Sequence, residues 1–348
     1  MLTVTLPDDD LLTRLADLDG RPVPEGVVLG AGSGLPGPPL PGGRVRLVGW
    51  DVASPLDPAV ADEVSVVVIP HYFVRPGAFD ALAQVPNLRL LQLPSAGYEH
   101  ALPHVPPGVA LANGRGIHDA GTAELALGLV LASQRGLDDA LRDQAQGRWA
   151  PRLRSSLADR RVLVVGYGSV GAAIARRLEA FETEVVRVAS RPREEPEGHV
   201  HGVDELPALL PGADVVVLAT PLTERTRGLV DAAFLARMPD GALLVNVARG
   251  AVVDTAALLA ELTSGRLRAA LDVTDPEPLP ADHPLWSAPG VLITPHLGGN
   301  VDAALPRTAA LVRRQLEALL AGRPPVNLVA VPDRAPDRAP DRAADHVS

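Results

Sequence analysis

Residues 161–181 run without interruption from an apolar, β-branched stretch, RVLVV, through Gly166-Tyr-Gly168-Ser-Val-Gly171 and into AAIARRLEAF. A strand, a glycine turn and a helix in immediate succession restrict the fold more tightly than any other segment of the chain. The first glycine permits the sharp turn, the second lets backbone approach a ligand, and the third lets the helix pack closely on the strand. The helix start then points N–H groups and the positive end of its dipole at one spot, a ready seat for the pyrophosphate of a dinucleotide. Gly166, Gly168, Ser169, Val170 and Gly171 are therefore the first candidate ligand-binding residues. An ordinary tight βα connection is the competing reading, and the presence of both flanking elements favours the dinucleotide.

The same alternation continues downstream. Apolar runs at Arg161–Val165, Val185–Ala189, Val215–Ala219, Ala242–Val247, Ala269–Asp272 and Val291–Thr294 predict six strands of a doubly wound sheet. A second set, Val45–Val52, Val64–Ile69, Leu88–Leu93 and Val109–Ala112, predicts another parallel sheet upstream. Between them, Ala120–Gln134 has helical propensity and is apolar on nearly all sides, so it is expected to be buried between elements or at a subunit contact, the interface helix being the favoured reading. Asp302–Leu320 reads as one amphipathic helix, too short for a domain, that packs back on the N-terminal lobe. The stretch Gly20–Gly43, rich in Gly and Pro, reads as an irregular surface excursion, and the terminal PDRAPDRAPDRAADHVS as a solvated tail. The expected class is α/β: two doubly wound parallel-sheet lobes, with a Rossmann nucleotide-binding lobe inserted in a discontinuous flavodoxin-like substrate lobe. The expected boundaries are 1–118 for the first part of the substrate lobe, 119–298 for the nucleotide lobe, 299–328 for the return helix and 329–348 for a disordered tail.

Composition narrows the function. A net charge of −10 with no dense basic cluster disfavours nucleic acid and anionic membrane surfaces as partners. The chain has no cysteine, which excludes disulfides, thiolate nucleophiles and Cys-ligated metals. All 32 basic residues are arginine, so neither a Walker-type phosphate loop nor a Schiff base can be built. No apolar run approaches the roughly 18–20 residues of a membrane span and no targeting signal is visible, which makes the cytoplasm the default location. No pair of His or acidic residues shows the spacing of a zinc site, and hydride chemistry needs no metal.

Three segments place reactive side chains at or near strand ends, where such sheets bind ligands: Asn246-Val-Ala-Arg249-Gly250, Asp272-Val-Thr-Asp-Pro-Glu277-Pro278 and Thr294-Pro-His296-Leu-Gly-Gly. Together with the glycine turn and with Thr220-Pro221-Leu222-Thr223-Glu224-Arg225-Thr226, they follow one another in the order seen in the D-isomer-specific 2-hydroxyacid dehydrogenases. Over roughly residues 44 to 326 the chain resembles that family. The resemblance implies an NAD(P)-dependent oxidoreductase that reduces a small 2-keto acid, glyoxylate- or hydroxypyruvate-like, to the D-2-hydroxy acid, or runs the reverse reaction.

Carried onto matching positions, the family's catalytic set becomes Arg249, Glu277 and His296. Ketone reduction generates an alkoxide, so a group titrating near neutrality must deliver a proton, and His296 has that character. A carboxylate against the other imidazole nitrogen stabilises imidazolium and fixes the ring, the role expected of Glu277. Arg249 presents a planar donor fork to a substrate carboxylate. The loop Pro94-Ser95-Ala96-Gly97-Tyr98 matches the family segment whose N–H groups hold that carboxylate, which makes Ala96 and Gly97 candidates. Asn246 and Asp272 end strands beside the nicotinamide in the family pattern, Asp272 contacting carboxamide or ribose. Thr220, Pro221, Thr226, Val247, Ala248, His296 and Gly298 complete the expected cofactor shell.

Where NAD enzymes commonly carry an acidic residue for the ribose 2′-hydroxyl, the sequence reads Ser190-Arg191-Pro192-Arg193. Ser190 and Arg191 suit the 2′-phosphate of NADP(H), which is favoured over NAD(H); the competing reading is that Arg191 and Arg193 merely solvate a loop. His71, Tyr72, Arg75, His100, His118 and Trp286 are candidates for shaping the pocket. The resemblance further implies a homodimer, for which the helix from Ala120 and the arm to Trp149 are the expected contact, and an active site between lobes that close on the cofactor, with crossings near Gly116–Ala120 and Gly298. Two rival readings stand beside it: a dinucleotide-sensing, corepressor-like binding protein on the same fold, and a relative oxidising formate or phosphite.

Overall fold

A computed structural model of the chain describes residues 1–23, 43–70 and 78–330. The central part of the Gly/Pro-rich excursion, His71, Tyr72 and Arg75, and the Pro-Asp-Arg-Ala repeats lie outside the described residues. The chain divides into two compact units, residues 1–114 joined by 305–348, and residues 115–304.

In chain order the strands are β1 (Leu2–Leu6), β2 (Pro22–Val23), β3 (Gly43–Gly49), β4 (Val64–Val68), β5 (Leu90–Gln92) and β6 (Ala110–Ala112). There follow β7 (Arg161–Val165), β8 (Glu184–Ala189), β9 (Arg193–Glu195), β10 (Gly198–Gly202), β11 (Val215–Leu218), β12 (Leu243–Asn246), β13 (Arg268–Leu271) and β14 (Val291–Ile293), and finally β15 (Leu328–Ala330). The first unit's sheet has the order β15-β6-β5-β4-β1-β3-β2 and the second unit's β14-β13-β12-β11-β7-β8-β10-β9. Both are parallel through their centres, with antiparallel strands only at the edges: β15 on β6, β2 on β3, and β9 on β10. These are the two α/β parallel-sheet units expected from the alternation.

Sequence explains the parallel centres. In β7, β11 and β12 the residues VLVV, VVVL and LLVN are all buried, and a strand covered by helices on both faces needs a continuous apolar run rather than an alternating one. On one face pack Leu163, Leu244, Leu258, Leu262 and Phe234; on the other, Val162, Val164, Val245 and the helix side chains Ala126, Leu129 and Ile174. The Asp119–Arg135 helix therefore buries its Ala123, Ala126, Leu129 and Val130 stripe inside its own unit, the first of the two expected placements, between elements. Its lack of a polar face reflects contact with the sheet and with the Ser169–Glu179 helix.

Three departures from the expected elements have local causes. β1 was not expected, because Thr3 and Thr5 break its apolar run; in the fold it lies between β3 and β4 with all five residues buried. The boundaries fall at Gly114/Arg115 and Ala304/Leu305 rather than at 118/119 and 298/299. A Cβ on Gly114 would lie 2.1 Å from the Pro94 carbonyl oxygen, so the chain stays packed in the first unit to that point, whereas Val301 packs beside Gly121 in the second. Third, Val329 and Ala330 belong to β15, paired on β6, and not to a tail. The returning Ala304–Leu320 helix supplies Val312, Leu316 and Leu319 to the first unit's core, and Arg313 grips Asp17 with two hydrogen bonds of 2.7 and 2.6 Å.

Candidate active site

Strand register in the second unit assembles one rim. Val165 pairs with Leu218, Leu218 with Asn246, Asn246 with Leu271, and Leu271 with Ile293. The residues just beyond these ends are Gly166–Gly171, Thr220–Pro221, Val247–Arg249, Asp272 and Thr294–His296, so segments up to 130 positions apart in sequence share the carboxyl edge of a single sheet. The order turns back on itself at β7, which is flanked by β11 and β8, and this is where such sheets hold ligands.

At the turn, an added Cβ on Gly171 would lie 2.1 Å from the Gly166 carbonyl oxygen, so only glycine lets the helix sit this close. Gly168, by contrast, is exposed and faces open space, with nothing within 4 Å of where its Cβ would be. Thr220 Oγ1, on the neighbouring strand exit, is buried without a hydrogen-bond partner among the described residues. A bare backbone approach and an orphaned hydroxyl fit a dinucleotide phosphate. Ser169 Oγ lies 3.1 Å from Asp119 Oδ1, which ties the turn to the start of the preceding long helix; no spacing in the sequence pointed to Asp119.

His296 Nδ1 and Glu277 Oε1 are 2.6 Å apart, the two side chains 36% and 42% exposed. Partial burial pushes the Glu277 carboxyl up, but the hydrogen bond and charge of His296, the Thr274 backbone and the charge of Arg249 outweigh it and hold the group below the usual glutamate range. Arg249 thus acts electrostatically on Glu277. Its Nη1 donates to the Ala248 carbonyl at 2.7 Å, and its own carbonyl accepts from Asn246 Nδ2 at 3.0 Å. Gly250 is obligatory here, since its Cβ would meet the Thr274 carbonyl oxygen at 1.9 Å: the Arg249 and Glu277 segments touch through backbone. Val247 and Ala248 are buried, so only their backbone groups are open to a ligand at this rim.

Asp272 has a larger structural part than the sequence indicated. Its buried carboxylate accepts Thr294 Oγ1 at 2.6 Å, Leu297 N at 2.7 Å and Gly298 N at 2.9 Å, while its carbonyl accepts His296 N at 2.9 Å. The loop that presents His296 is therefore built around Asp272, and Thr294 joins the set without having been a candidate. Thr226 Oγ1 closes the Pro221–Thr226 turn by donating to the Pro221 carbonyl at 2.6 Å. Trp286 donates from Nε1 to Pro280 at 2.8 Å and braces the segment after Glu277. Ser190 and Arg191 are exposed at the end of β8; Arg193 instead turns to the Tyr167 carbonyl at 3.0 Å and to Glu195 at 2.6 Å.

Ala96 and Gly97 belong to the first unit. Ser95 Oγ donates to the Gly97 carbonyl and Asn113 Nδ2 to the Ala96 carbonyl, each at 2.7 Å. The Tyr98 N–H in turn donates to Glu99 Oε2 at 2.9 Å. His100 approaches Phe79 with ring centroids 6.2 Å apart, and His118 is buried at the start of the Asp119–Arg135 helix.

An imidazole paired with a carboxylate beside a dinucleotide cradle is the equipment of a nicotinamide-dependent dehydrogenase. The profile of the D-isomer specific 2-hydroxyacid dehydrogenase NAD binding domain matches residues 127–298. A glyoxylate reductase of Thermofilum pendens is 32% identical over 265 residues, 72% of this chain and 77% of that protein. A D-isomer specific 2-hydroxyacid dehydrogenase from Xanthobacter autotrophicus Py2, solved in complex with NADPH and MES, is 30% identical with a TM-score of 0.73, covering 95% of this chain and 98% of the other. An NADPH-dependent glyoxylate/hydroxypyruvate reductase from Sinorhizobium meliloti, solved with NADP and malonate, is 26% identical with a TM-score of 0.70, covering 96% and 98%. The chain belongs to the D-isomer-specific 2-hydroxyacid dehydrogenase family.

Proposed function

We propose that this chain interconverts a small 2-keto acid of the glyoxylate or hydroxypyruvate type and its D-2-hydroxy acid, with NADP(H) as the preferred coenzyme. The observation that carries the reading is the 2.6 Å His296–Glu277 pair on the strand rim that also bears the glycine turn. The bound nicotinamide supplies or accepts the hydride. His296 gives a proton to the carbonyl oxygen in reduction and removes it in oxidation. Glu277, ionised and hydrogen-bonded to Nδ1, stabilises the imidazolium and leaves Nε2 as the reacting nitrogen. Arg249 receives the substrate carboxylate through its donor fork. For the first unit the proposal keeps Ala96 and Gly97 as N–H donors to that carboxylate. Asp272 holds the His296 loop, and Gly166–Gly171, Thr220, Pro221, Thr226, Val247, Ala248 and Gly298 form the cofactor shell.

NADP(H) is favoured because Ser190 rather than a carboxylate stands at the exit of β8 and the exposed Arg191 is available for a 2′-phosphate, while Arg193 is already engaged. Two of the similar structures above are complexes with NADPH or NADP. We also propose a homodimer. Trp149 is 97% exposed and Leu153 fully so, on an arm whose Arg148 and Arg152 are fastened to Asp143, and a second copy would cover apolar groups held out in this way. No helix among the described residues is long and apolar enough to cross a membrane.

The deciding experiment is turnover of glyoxylate, hydroxypyruvate, pyruvate and bulkier 2-keto acids by the purified chain, with NADPH and with NADH. Reduction of the small acids with a higher kcat/KM for NADPH is expected. A preference for bulky acids would overturn the substrate class, and a preference for NADH the 2′-phosphate argument. Dinucleotide binding without turnover of any acid would favour a sensor.

A further inference from the structure

The edge hairpin that follows the Ser190–Arg191 turn gathers metal-ligating side chains that hydride transfer does not use. β9 and β10 run antiparallel, with His199 directly opposite Glu194. His199 and His201, two apart on a strand, share one face, while Val200 between them is fully buried. Arg187 pairs with Val200 in the register and so lies on that other face, away from the imidazoles. The Val203–Glu205 turn then brings Glu205 back beneath the strand.

The contacts are short. Glu194 Oε1 lies 2.6 Å from His199 Nδ1, and Glu205 Oε2 lies 2.7 Å from His201 Nδ1. The two rings meet edge to face with centroids 4.6 Å apart, and one ligand atom from each of His199, His201 and Glu205 falls within 4.8 Å of the others. The Gly202 N–H donates to Glu205 Oε1 at 2.7 Å and holds that carboxylate beside the strand.

We propose that His199, His201 and Glu205 form a binding site for a divalent transition cation of the zinc type, with Glu194 orienting the His199 ring. Two imidazoles and a carboxylate are the donor set that such borderline ions prefer, whereas magnesium takes oxygen ligands almost exclusively. A carboxylate bonded to the other nitrogen of a ligating imidazole fixes its orientation and raises its basicity, the part Glu194 plays. Two ligands of a tetrahedral ion with bonds of about 2.0 Å sit roughly 3.3 Å apart, and rotation of the exposed His199 and half-buried Glu205 side chains closes that gap. The His-x-His spacing means a shared face only on a strand. Residues 193–202 show no strand period in the sequence, so the expectation of no metal site is revised here.

A bound ion would fasten β10 to the Val203–Glu205 turn, in the hairpin from which Arg193 reaches the Tyr167 carbonyl of the glycine turn. The site is separate from the His296–Glu277 pair, which belongs to a different strand end.

The test is calorimetric titration of the untagged full-length chain with ZnCl2, and with MgCl2 as control. Saturable binding of one Zn2+ and none of Mg2+ is expected. The double variant His199→Ala/His201→Ala should bind at least about ten-fold more weakly, Glu205→Gln should also weaken binding, and His296→Asn should leave it unchanged. No saturable Zn2+ binding by the parent chain would overturn the proposal. So would equal affinity in the double variant and in Glu205→Gln, or loss of binding in His296→Asn alone. Because all three ligands lie in the edge hairpin, thermal melts of the variants should match the parent without metal, and Zn2+ should raise the melting temperature of the parent and of His296→Asn but not of the double variant.

Discussion

His296 adopts a φ of 53°, in the left-handed region that residues with a Cβ rarely occupy. Such a conformation costs about 1–3 kcal/mol and persists only where its surroundings over-determine it. Here its N–H is shared between the Asp272 and Thr294 carbonyls, and the next two N–H groups end on the Asp272 carboxylate. The backbone is bent so that Nδ1 meets Glu277. His296→Asn is expected to lower kcat by about 10²–10⁴-fold while changing the NADPH dissociation constant by no more than about a few-fold, as steady-state kinetics and fluorescence titration would show. A rate within a few-fold of the parent would remove the imidazole from proton transfer. The same pair predicts an acid response. A carboxyl depressed in the folded state adds stability that is present above its unfolded pKa and is lost as the pH falls through its folded one. The Glu277–His296 coupling should thus hold at neutral pH and fail only below the ordinary glutamate range. Carbon NMR of the Glu277 carboxyl should place its midpoint below that of free glutamate, and in His296→Asn the midpoint should rise, because burial then faces fewer opposing contacts.

At the scale of elements, two glycines in one rim should behave in opposite ways. Gly250→Ala drives a methyl into the Thr274 carbonyl, so the β12 and β13 exits must separate; loss of thermal stability and of turnover together is expected. Gly168→Ala meets nothing in the protein, so melting should be unchanged while NADPH binding weakens, since on the proposed reading the methyl stands where the pyrophosphate approaches. Equal effects in the two variants would mean that Gly168 does not face the cofactor. The Trp149 arm permits a similar separation: Trp149→Glu with Leu153→Glu should convert a dimer to a monomer in light scattering, with the fold retained, because neither side chain is packed within its own chain.

Elements with a continuous apolar run were legible in the sequence, as β7, β11 and β12 show, because burial on both faces leaves only one kind of residue acceptable. β9 and β10 were not, since an edge hairpin of REE and GHVHG buries little beyond Val200 and carries no period to read. In the site, Gly166–Gly171 was legible from chemistry, whereas Arg249, Glu277 and His296 were assigned through family resemblance. The supporting contacts, Asp272 with Thr294 and Asp119 with Ser169, depend on register between distant strands and helices, which no local spacing encodes.

For the whole molecule, the two units differ in how their cores are connected. The core groups containing Leu163, Val164 and Tyr167 draw only on residues between 123 and 293, so everything that stabilises the second unit's sheet is contained in one contiguous stretch. The first unit's core joins Leu2, Val66 and Leu90 to Val312, Leu316 and Leu319 from the far end of the chain, and Leu328 packs on it as well. Removing the C-terminal return strips those side chains from the sheet, and each buried leucine lost leaves roughly 2–5 kcal/mol uncompensated, comparable with the whole stability of a domain. A fragment of residues 115–304 should therefore fold cooperatively on its own and bind NADPH, whereas a fragment of residues 1–114 should not fold unless the 305–330 segment is supplied in trans. Circular dichroism melts of the fragments, alone and mixed, distinguish the cases. A sigmoidal melt from 1–114 alone would show that the returning helix only decorates that unit, and an unfolded 115–304 fragment would show that the insertion needs its host.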